Sequence, residues 1–465
     1  MSGDLLLRDV EVDGVRCDVT IRGRLIHTVA PAGRPPTRGA DVVDGHGGAL
    51  LPGLHDHHVH LLATASAQLS VDCGPDAVRH RDGLAAALAA GTGPDGWVRG
   101  VGYHESVAGT LDRHRLDALV PGVPVRVQHR SGALWILNTA ALDRVAAALD
   151  DTPDVERGDD GRPNGRLWRY DARLRPALPF RDLDLGALGR RLAGYGVTGV
   201  TDATPDLDES AVQLLADAHT DGRLPQSVHL LGAPATTRLP PGMSHGPRKL
   251  LLRDHDLPTY DQLSVAVETE HSRGRPVAVH CVTRESLLLT LAVLEEVGPL
   301  VGDRVEHAGV VPEGVAAWIA RLGLRVVTQP VFLHDRGDDY LRDVAPADVP
   351  LLYPHASLLA AGVAVSVSSD APFGALDPWA GIRAAVARTT SSGALIGPHE
   401  RVPAATALRG MLTRADDPGG VPRRLEAGSP ADACLLRVPL AEALREPAAE
   451  QVRATVLAGQ ISFNH

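Results

Sequence analysis

The chain's 465 residues exceed one ordinary domain of about 150 residues, and its 44% hydrophobic and 22% charged content excludes a disordered or fibrous protein. Its 46 basic against 57 acidic residues leave a net charge of −11, which excludes the basic footprint of a nucleic-acid binder or a polybasic membrane patch. Aromatic residues, at 3%, are too few to build stacking platforms for single strands.

Residues 1–9 carry neither the basic region nor the apolar core of a signal peptide. No run in the chain approaches the ~18 apolar residues of a membrane span. The expectation is a soluble, cytoplasmic protein. Segments 5–12, 17–22 and 25–30, broken by Asp13-Gly14 and Arg22-Gly23, read as short antiparallel strands. Segment 49–60 opens a different rhythm. After a block at about 66–185, short apolar runs at 196–203, 227–232, 249–253, 276–281, 304–308, 324–330 and 362–370 alternate with stretches of helical length such as 260–272 and 286–297. Strands alternating with helices predict a parallel sheet of βα units, and with 49–60 there are eight, the TIM-barrel number. Segments 52–65 and 186–424 together come close to the ~250 residues typical of that barrel. Short strands return at 433–438, 452–457 and 460–463, so both termini are expected to meet in one small β domain. The predicted fold is α/β: a (β/α)8 barrel over 52–65 and 186–424, a β-sandwich from 1–51 and 425–465, and an α/β insertion over 66–185 after the first barrel strand.

Barrel chemistry gathers at the C-terminal ends of the strands. The first strand ends Asp56-His57-His58-Val59-His60, where His58 and His60, two apart, share a face and begin a metal site. His280 ends the fifth strand, Glu306-His307 the sixth and Ser368-Ser369-Asp370 the eighth. A single histidine at a strand end is more often a hydrogen-bonding or core residue than a ligand. The joint pattern on four strands points to metal binding. Near the start of the fourth strand stands Lys249, the only lysine among 46 basic residues. Codon bias explains the depletion of lysine but not this survivor, and arginine cannot replace lysine where an amine must lose its proton and react. The four cysteines, Cys17, Cys73, Cys281 and Cys434, lack CxxC spacing and imply neither a disulfide framework nor a zinc ribbon.

The stretch Pro52-Gly53-Leu54-His55-Asp56-His57-His58-Val59-His60 resembles the PGxxDxHxH signature of the amidohydrolase superfamily. More narrowly, Trp97 to Glu105, Gly196 to Ala203, Val305-Glu306-His307, Ser369-Asp370-Ala371-Pro372 and Ala427 to Asp432 resemble its amidohydrolase-3 (YtcJ-like) branch. That resemblance implies that His58 and His60 hold a buried metal, His280 and His307 a more exposed one, and that Asp370 is both ligand and catalytic base. It places Lys249 where two-metal members carry an N6-carboxylated lysine bridging the ions. It further implies one or two divalent ions, zinc first, a small-molecule substrate and a homodimer. The chain departs from many relatives at Tyr103-His104-Glu105, Gly132-Ala133 and Val282-Thr283-Arg284-Glu285, places expected to face substrate. Tyr103, His104, Glu105, Gln329 and His334 are the candidate substrate contacts, with the insertion expected over the mouth of the first strand.

The implied reaction is hydrolysis of a non-peptide C–N bond in an amide, formamide or cyclic amide by a metal-activated hydroxide, with Asp370 as general base and then general acid. The alternatives are a one-metal deaminase of an amino-heterocycle, in which Lys249 is idle, and a non-catalytic scaffold, which would be expected to have lost ligands.

Overall fold

The computed structural model describes residues 4–33, 39–179 and 181–464; residues 1–3 and 465, at the two ends of the expected terminal domain, lie outside it, as do 34–38 and 180. The chain divides into two compact units, one formed by Met1–Leu61 with Leu185–His465 and the other by Leu62–Asp184.

In the first unit two four-stranded sheets come from the chain ends. One has the order Leu25–Pro31, Val15–Arg22, Leu5–Val12, Asp41–Asp44; the other Gln460–Asn464, Val452–Leu457, Ala433–Leu436, Leu50–Pro52. Alternating apolar residues from both sheets, among them Leu7, Val19, Ile21, Leu50, Leu435 and Val456, share one buried core.

Between them in sequence lie two all-parallel sheets. The first runs Met243–His245, Ser227–Leu230, Val197–Asp202, Leu54–Val59; the second runs Arg248–Leu250, Val277–Cys281, Arg304–His307, Arg325–Thr328, Ala364–Val367. The sheets meet along two seams. At one, Lys249 N donates to Leu231 O (3.2 Å); at the other, Asp370 N donates to His58 O (2.8 Å) and His60 N to Ala371 O (2.9 Å). The period of two then sorts the side chains. Val277, Val279, Cys281, Val305, Val326 and Val365 pack in one cluster with Leu263, Leu287, Leu291 and Ile319 of the covering helices. Ala278, His280, Arg304 and Glu306 are left for the opposite face.

Three strands differ from the sequence reading. The run 49–60 is cut at Gly53: Leu50–Pro52 pairs antiparallel with Ala433–Leu436, whereas Leu54–Val59 pairs parallel with Val197–Asp202. A Cβ at Gly53 would stand 2.1 Å from Thr198 Cγ2, so the crossing from one sheet to the other requires glycine. The fourth strand starts earlier and in two pieces, Met243–His245 and Arg248–Leu250, interrupted at Gly246-Pro247, where proline offers no N–H to a ladder. Lys249 is therefore central in its piece. The last strand stops at Val367, leaving Ser368, Ser369 and Asp370 on the following turn.

The unit Leu62–Asp184 holds a six-stranded mixed sheet in the order Val155–Arg157, Pro163–Trp168, Leu134–Leu137, Val125–His129, Val98–Tyr103, Val71–Asp72. Leu134 and Ile136 join one apolar cluster with Val98 and Val125, while Trp135 and Leu137 join another with Trp97 and Tyr170. Among the described residues, no helix is long and apolar enough to cross a membrane.

Candidate metal centre

The strand Leu54–Val59 is buried throughout, and its histidines alternate. His55 Nε2 reaches Thr201 Oγ1 (2.9 Å) and His57 Nε2 reaches Thr413 Oγ1 (3.0 Å). His58 turns the other way. Its Nδ1 is bonded to the Glu306 carboxylate, which fixes the proton on Nδ1 and leaves the Nε2 lone pair 3.5 Å from Asp370 Oδ1 and 3.4 Å from Lys249 Nζ. His60 repeats the pattern, with Nδ1 on Thr204 Oγ1 (3.1 Å) and Nε2 at 3.2 Å from Asp370 Oδ1.

The sixth strand needs a backbone device to contribute. Alternation puts Glu306 inward and would send His307 outward beside Val305. Instead His307 takes φ +70° and Ala308 φ +49°, a left-handed kink that brings consecutive residues to one centre. His307 Nδ1 then donates to Gln329 Oε1 (2.7 Å), whose amide is oriented by its own donation to Ser368 Oγ (2.8 Å). The His280 ring lies edge-on to His307, centroids 4.4 Å apart. Asp370 is also left-handed, φ +52°. Its turn is tied to the first strand through Asp56, which accepts from Ser369 Oγ (2.5 Å) and from the backbone N of Ser369 and His58 (3.2 Å each).

His58, His307 and Asp370, all buried, thus each present one donor atom within 4.8 Å of the others, and His60, His280 and Lys249 stand around them. Burial pushes the His58 imidazole down to about 4, reinforced by the neighbouring lysine cation, and His307 down to about 3, so both rings keep a lone pair at neutral pH. Burial also lowers the Lys249 amine below its ordinary range, against the pull of Glu306 and Asp370. Asp370 lies below the usual carboxylate range: burial opposes its charge, and His58, His60 and His307 outweigh burial. Its Oδ1 is buried without an aligned hydrogen-bond donor, facing two imidazole nitrogens. Neutral imidazoles, a carboxylate and an oxygen without a donor fit a divalent cation.

The other candidate residues have surroundings of their own. His334, on the short helix Val331–Asp335, is 56% exposed and sits 3.4 Å from Asp335. Tyr103 is buried in the second unit, its hydroxyl donating to Gly109 O. His104 and Glu105 cluster with His129 in that unit. Asp202, at the end of its strand, accepts from the backbone N of Leu61 (2.8 Å) and Thr204 (3.0 Å) and closes the turns there. Two groups were missed by sequence reasoning as parts of the centre. Glu306 was legible only as a neighbour of His307, and its partner Arg304, 1% exposed, only as a basic residue inside a strand.

The Amidohydrolase family model matches residues 41–463, and the chain belongs to that family. The N-substituted formamide deformylase of Arthrobacter pascens is 28% identical over 491 aligned positions, covering 91% of this chain and 90% of that protein. The YtcJ protein of Bacillus subtilis strain 168 is 25% identical over 402 positions, 74% of each chain. A metal-dependent hydrolase of Pyrococcus horikoshii OT3, of solved structure, superposes with a TM-score of 0.72 at 18% identity, over 96% of this chain and 98% of that one, a likeness of fold. Family membership makes this chain a metal-dependent hydrolase acting on carbon–nitrogen bonds other than peptide bonds.

Proposed function

We propose that the chain hydrolyses the C–N bond of a small amide, formamide or cyclic amide at the centre built on His58, His60, His307 and Asp370. The observation that carries this reading is the convergence of His58 Nε2 and His60 Nε2 on Asp370 Oδ1, a buried oxygen without an aligned hydrogen-bond donor, with a donor atom of His307 within 4.8 Å of those of His58 and Asp370. The 28% identity with an N-substituted formamide deformylase over nine-tenths of both chains puts formamides first among substrates. The two parallel sheets joined at both seams support reading 52–65 and 186–424 as one (β/α)8 barrel, with the site at the C-terminal strand ends.

His58, His60, His280, His307, Asp370 and Lys249 would hold one or two divalent ions, zinc first. Bound there, such ions supply Lewis acidity and lower the pKa of water toward about 7. Asp370 accepts the proton of the attacking water through Oδ1 and returns it to the departing nitrogen. Gln329 and Glu306 hold the His307 and His58 rings by accepting from Nδ1, which keeps the lone pair of each on Nε2. Lys249 is buried, and burial lowers its pKa, which eases loss of the ammonium proton that must precede uptake of CO2: an N–C bond then forms, a further proton leaves, and the resulting carbamate would add a second carboxylate-like ligand beside His58.

The test is metals per chain by elemental analysis on protein purified without chelator in bicarbonate, with a screen of formamides, amides and cyclic amides. Turnover of a formamide with at least one ion at this centre is expected, and Asp370→Asn should fold normally with near-zero turnover. Robust hydrolysis by that variant would refute the base assignment. An unmutated protein active only on amino-heterocycles, with Lys249 dispensable, would favour the one-metal deaminase.

A further inference from the structure

The sheet of the second unit carries two guanidiniums that the hydrolytic reading does not use. Arg99, on the strand Val98–Tyr103, stands in register with Arg126 on the parallel neighbour Val125–His129, so both side chains leave the same face. On the next strand Trp135, opposite Gln128, shares that face. Its ring centroid lies 5.2 Å from the Arg99 guanidinium carbon and 4.9 Å from that of Arg126. Like charges facing each other on neighbouring strands are destabilising. Arg99 is buried and Arg126 half-buried, which adds to that cost. Burial and then the Arg126 cation lower the Arg99 pKa, and burial and then Arg181 lower that of Arg126.

Elsewhere the chain satisfies such groups fully. Arg181 in the same unit is held by both oxygens of Asp95 (2.6 and 3.0 Å), and the buried Arg275 and Arg388 each donate to three backbone carbonyls. The pair on the sheet differs. Arg99 donates only through Nη1, to Ser66 O (3.2 Å) and Ser70 Oγ, and Arg126 makes no hydrogen bond among the described residues. Among those residues neither guanidinium has a carboxylate oxygen within 4.0 Å. Asp171 attracts both from farther away, and one of its oxygens accepts from Trp135 Nε1 (2.7 Å). The indole contacts offset part of the charge but take none of the N–H donors. Asp171 is exposed, so solvent reaches the edge of the cluster. Planar forks of N–H donors without acceptors match the paired oxygens of a carboxylate or a phosphate.

We infer that the unit Leu62–Asp184 binds a small oxyanion, a carboxylate or a phosphate, on the N–H groups of Arg99 and Arg126 beside Trp135. The full chain, loaded with metal, is titrated with acetate and separately with inorganic phosphate. Chloride keeps the ionic strength constant, and tryptophan fluorescence, to which Trp135 contributes, follows binding. The same titrations are run on Arg126→Gln and Arg126→Lys, with circular dichroism confirming the fold of each. At least one oxyanion should bind the unmutated chain, and the tighter of the two names the class. Its dissociation constant should rise about tenfold or more in Arg126→Gln, the loss of one charge-assisted hydrogen bond. Arg126→Lys keeps the charge without the planar fork and should fall between, so it serves should Arg126→Gln fail to fold. Oxyanion held at the barrel centre contributes equally to all three proteins and cancels in the comparison. In chloride alone Arg126→Gln should melt no lower than the unmutated chain, because it removes a cation without a carboxylate partner. No response to either oxyanion, or equal titration curves in the unmutated chain and a folded variant, overturns the inference and leaves two arginines packed on an indole.

Discussion

The buried ion pair beneath His58 offers a test that separates fold stability from metal positioning. Glu306 is fully buried; one carboxylate oxygen bonds His58 Nδ1, and the other sits 2.5 Å from Arg304 Nε, an ion pair whose N–H is not aligned on the oxygen. Arg304 is itself buried, and it also donates to the His57 carbonyl (3.2 Å). Replacing Glu306 with leucine strands a guanidinium that cannot neutralise itself, a change that costs about 3–5 kcal/mol for a buried pair broken on one side. With an unfolding entropy of about 2.1 cal/mol/K per residue, 465 residues give roughly 1 kcal/mol/K, hence a thermal midpoint lower by about 3–5 °C. Adding Arg304→Met removes the stranded charge, and apolar replacement of both partners is often neutral or stabilising. The double variant should therefore recover most of the lost midpoint. It should not recover metal affinity, because His58 still lacks its Nδ1 acceptor, and loss of such a partner weakens binding about 10–100-fold. The assay is calorimetry with and without chelator, alongside competition titration with a chromophoric chelator. A double variant no more stable than Glu306→Leu, or one with unmutated affinity, would refute the reasoning.

Further outcomes follow from other features. Lys249→Arg should lose one metal or hold it weakly, because guanidinium cannot form a carbamate; full occupancy by elemental analysis removes the bridging role. Gly53→Ala places a Cβ 2.1 Å from Thr198 Cγ2 and 2.2 Å from its Oγ1, and should cost about 1–3 kcal/mol of stability; Thr198→Gly in the same chain should return part of it in denaturant melts. His355 is buried and held neutral, first by burial and then by the Arg388 cation, with its pKa lowered to about 4. The unfolded chain binds this proton near pH 6.5, so the stabilisation is fully present above that pH and is lost as pH falls toward 4, up to about 3 kcal/mol. His355→Leu should flatten the acid limb of the stability profile, and an unchanged limb sinks the assignment.

How much of this was legible in the residues depends on how local each feature is. The spacing of His58 and His60 on one strand face follows from the period of two alone, and so does the separation of His280 from Cys281, whose thiol lies among Ser286 and Thr290 on the helix side. The strand-helix alternation and the short strands of both termini are likewise written in apolar period and turn residues. The break at Gly53 carries a local mark in the Pro52-Gly53 pair, but the pair does not say that the two halves join different sheets, which depends on partners far along the chain. His307 shows the limit most clearly. Period-two reasoning applied strictly sends it to the same side as Val305, away from Glu306. What returns it to the centre is a positive φ in a residue other than glycine, a conformation that costs about 1–2 kcal/mol and carries no mark in residue type. That cost is sustained by contacts from other strands: the Gln329 amide on Nδ1, itself fixed by Ser368, and the Asp370 carboxylate 3.8 Å away. A side chain placed by strain is visible only once the groups that hold the strain have been brought together. The donors that alternation alone would have separated, Glu306 and His307, are therefore the pair whose joint presence the sequence could hint at by adjacency and only the fold could orient.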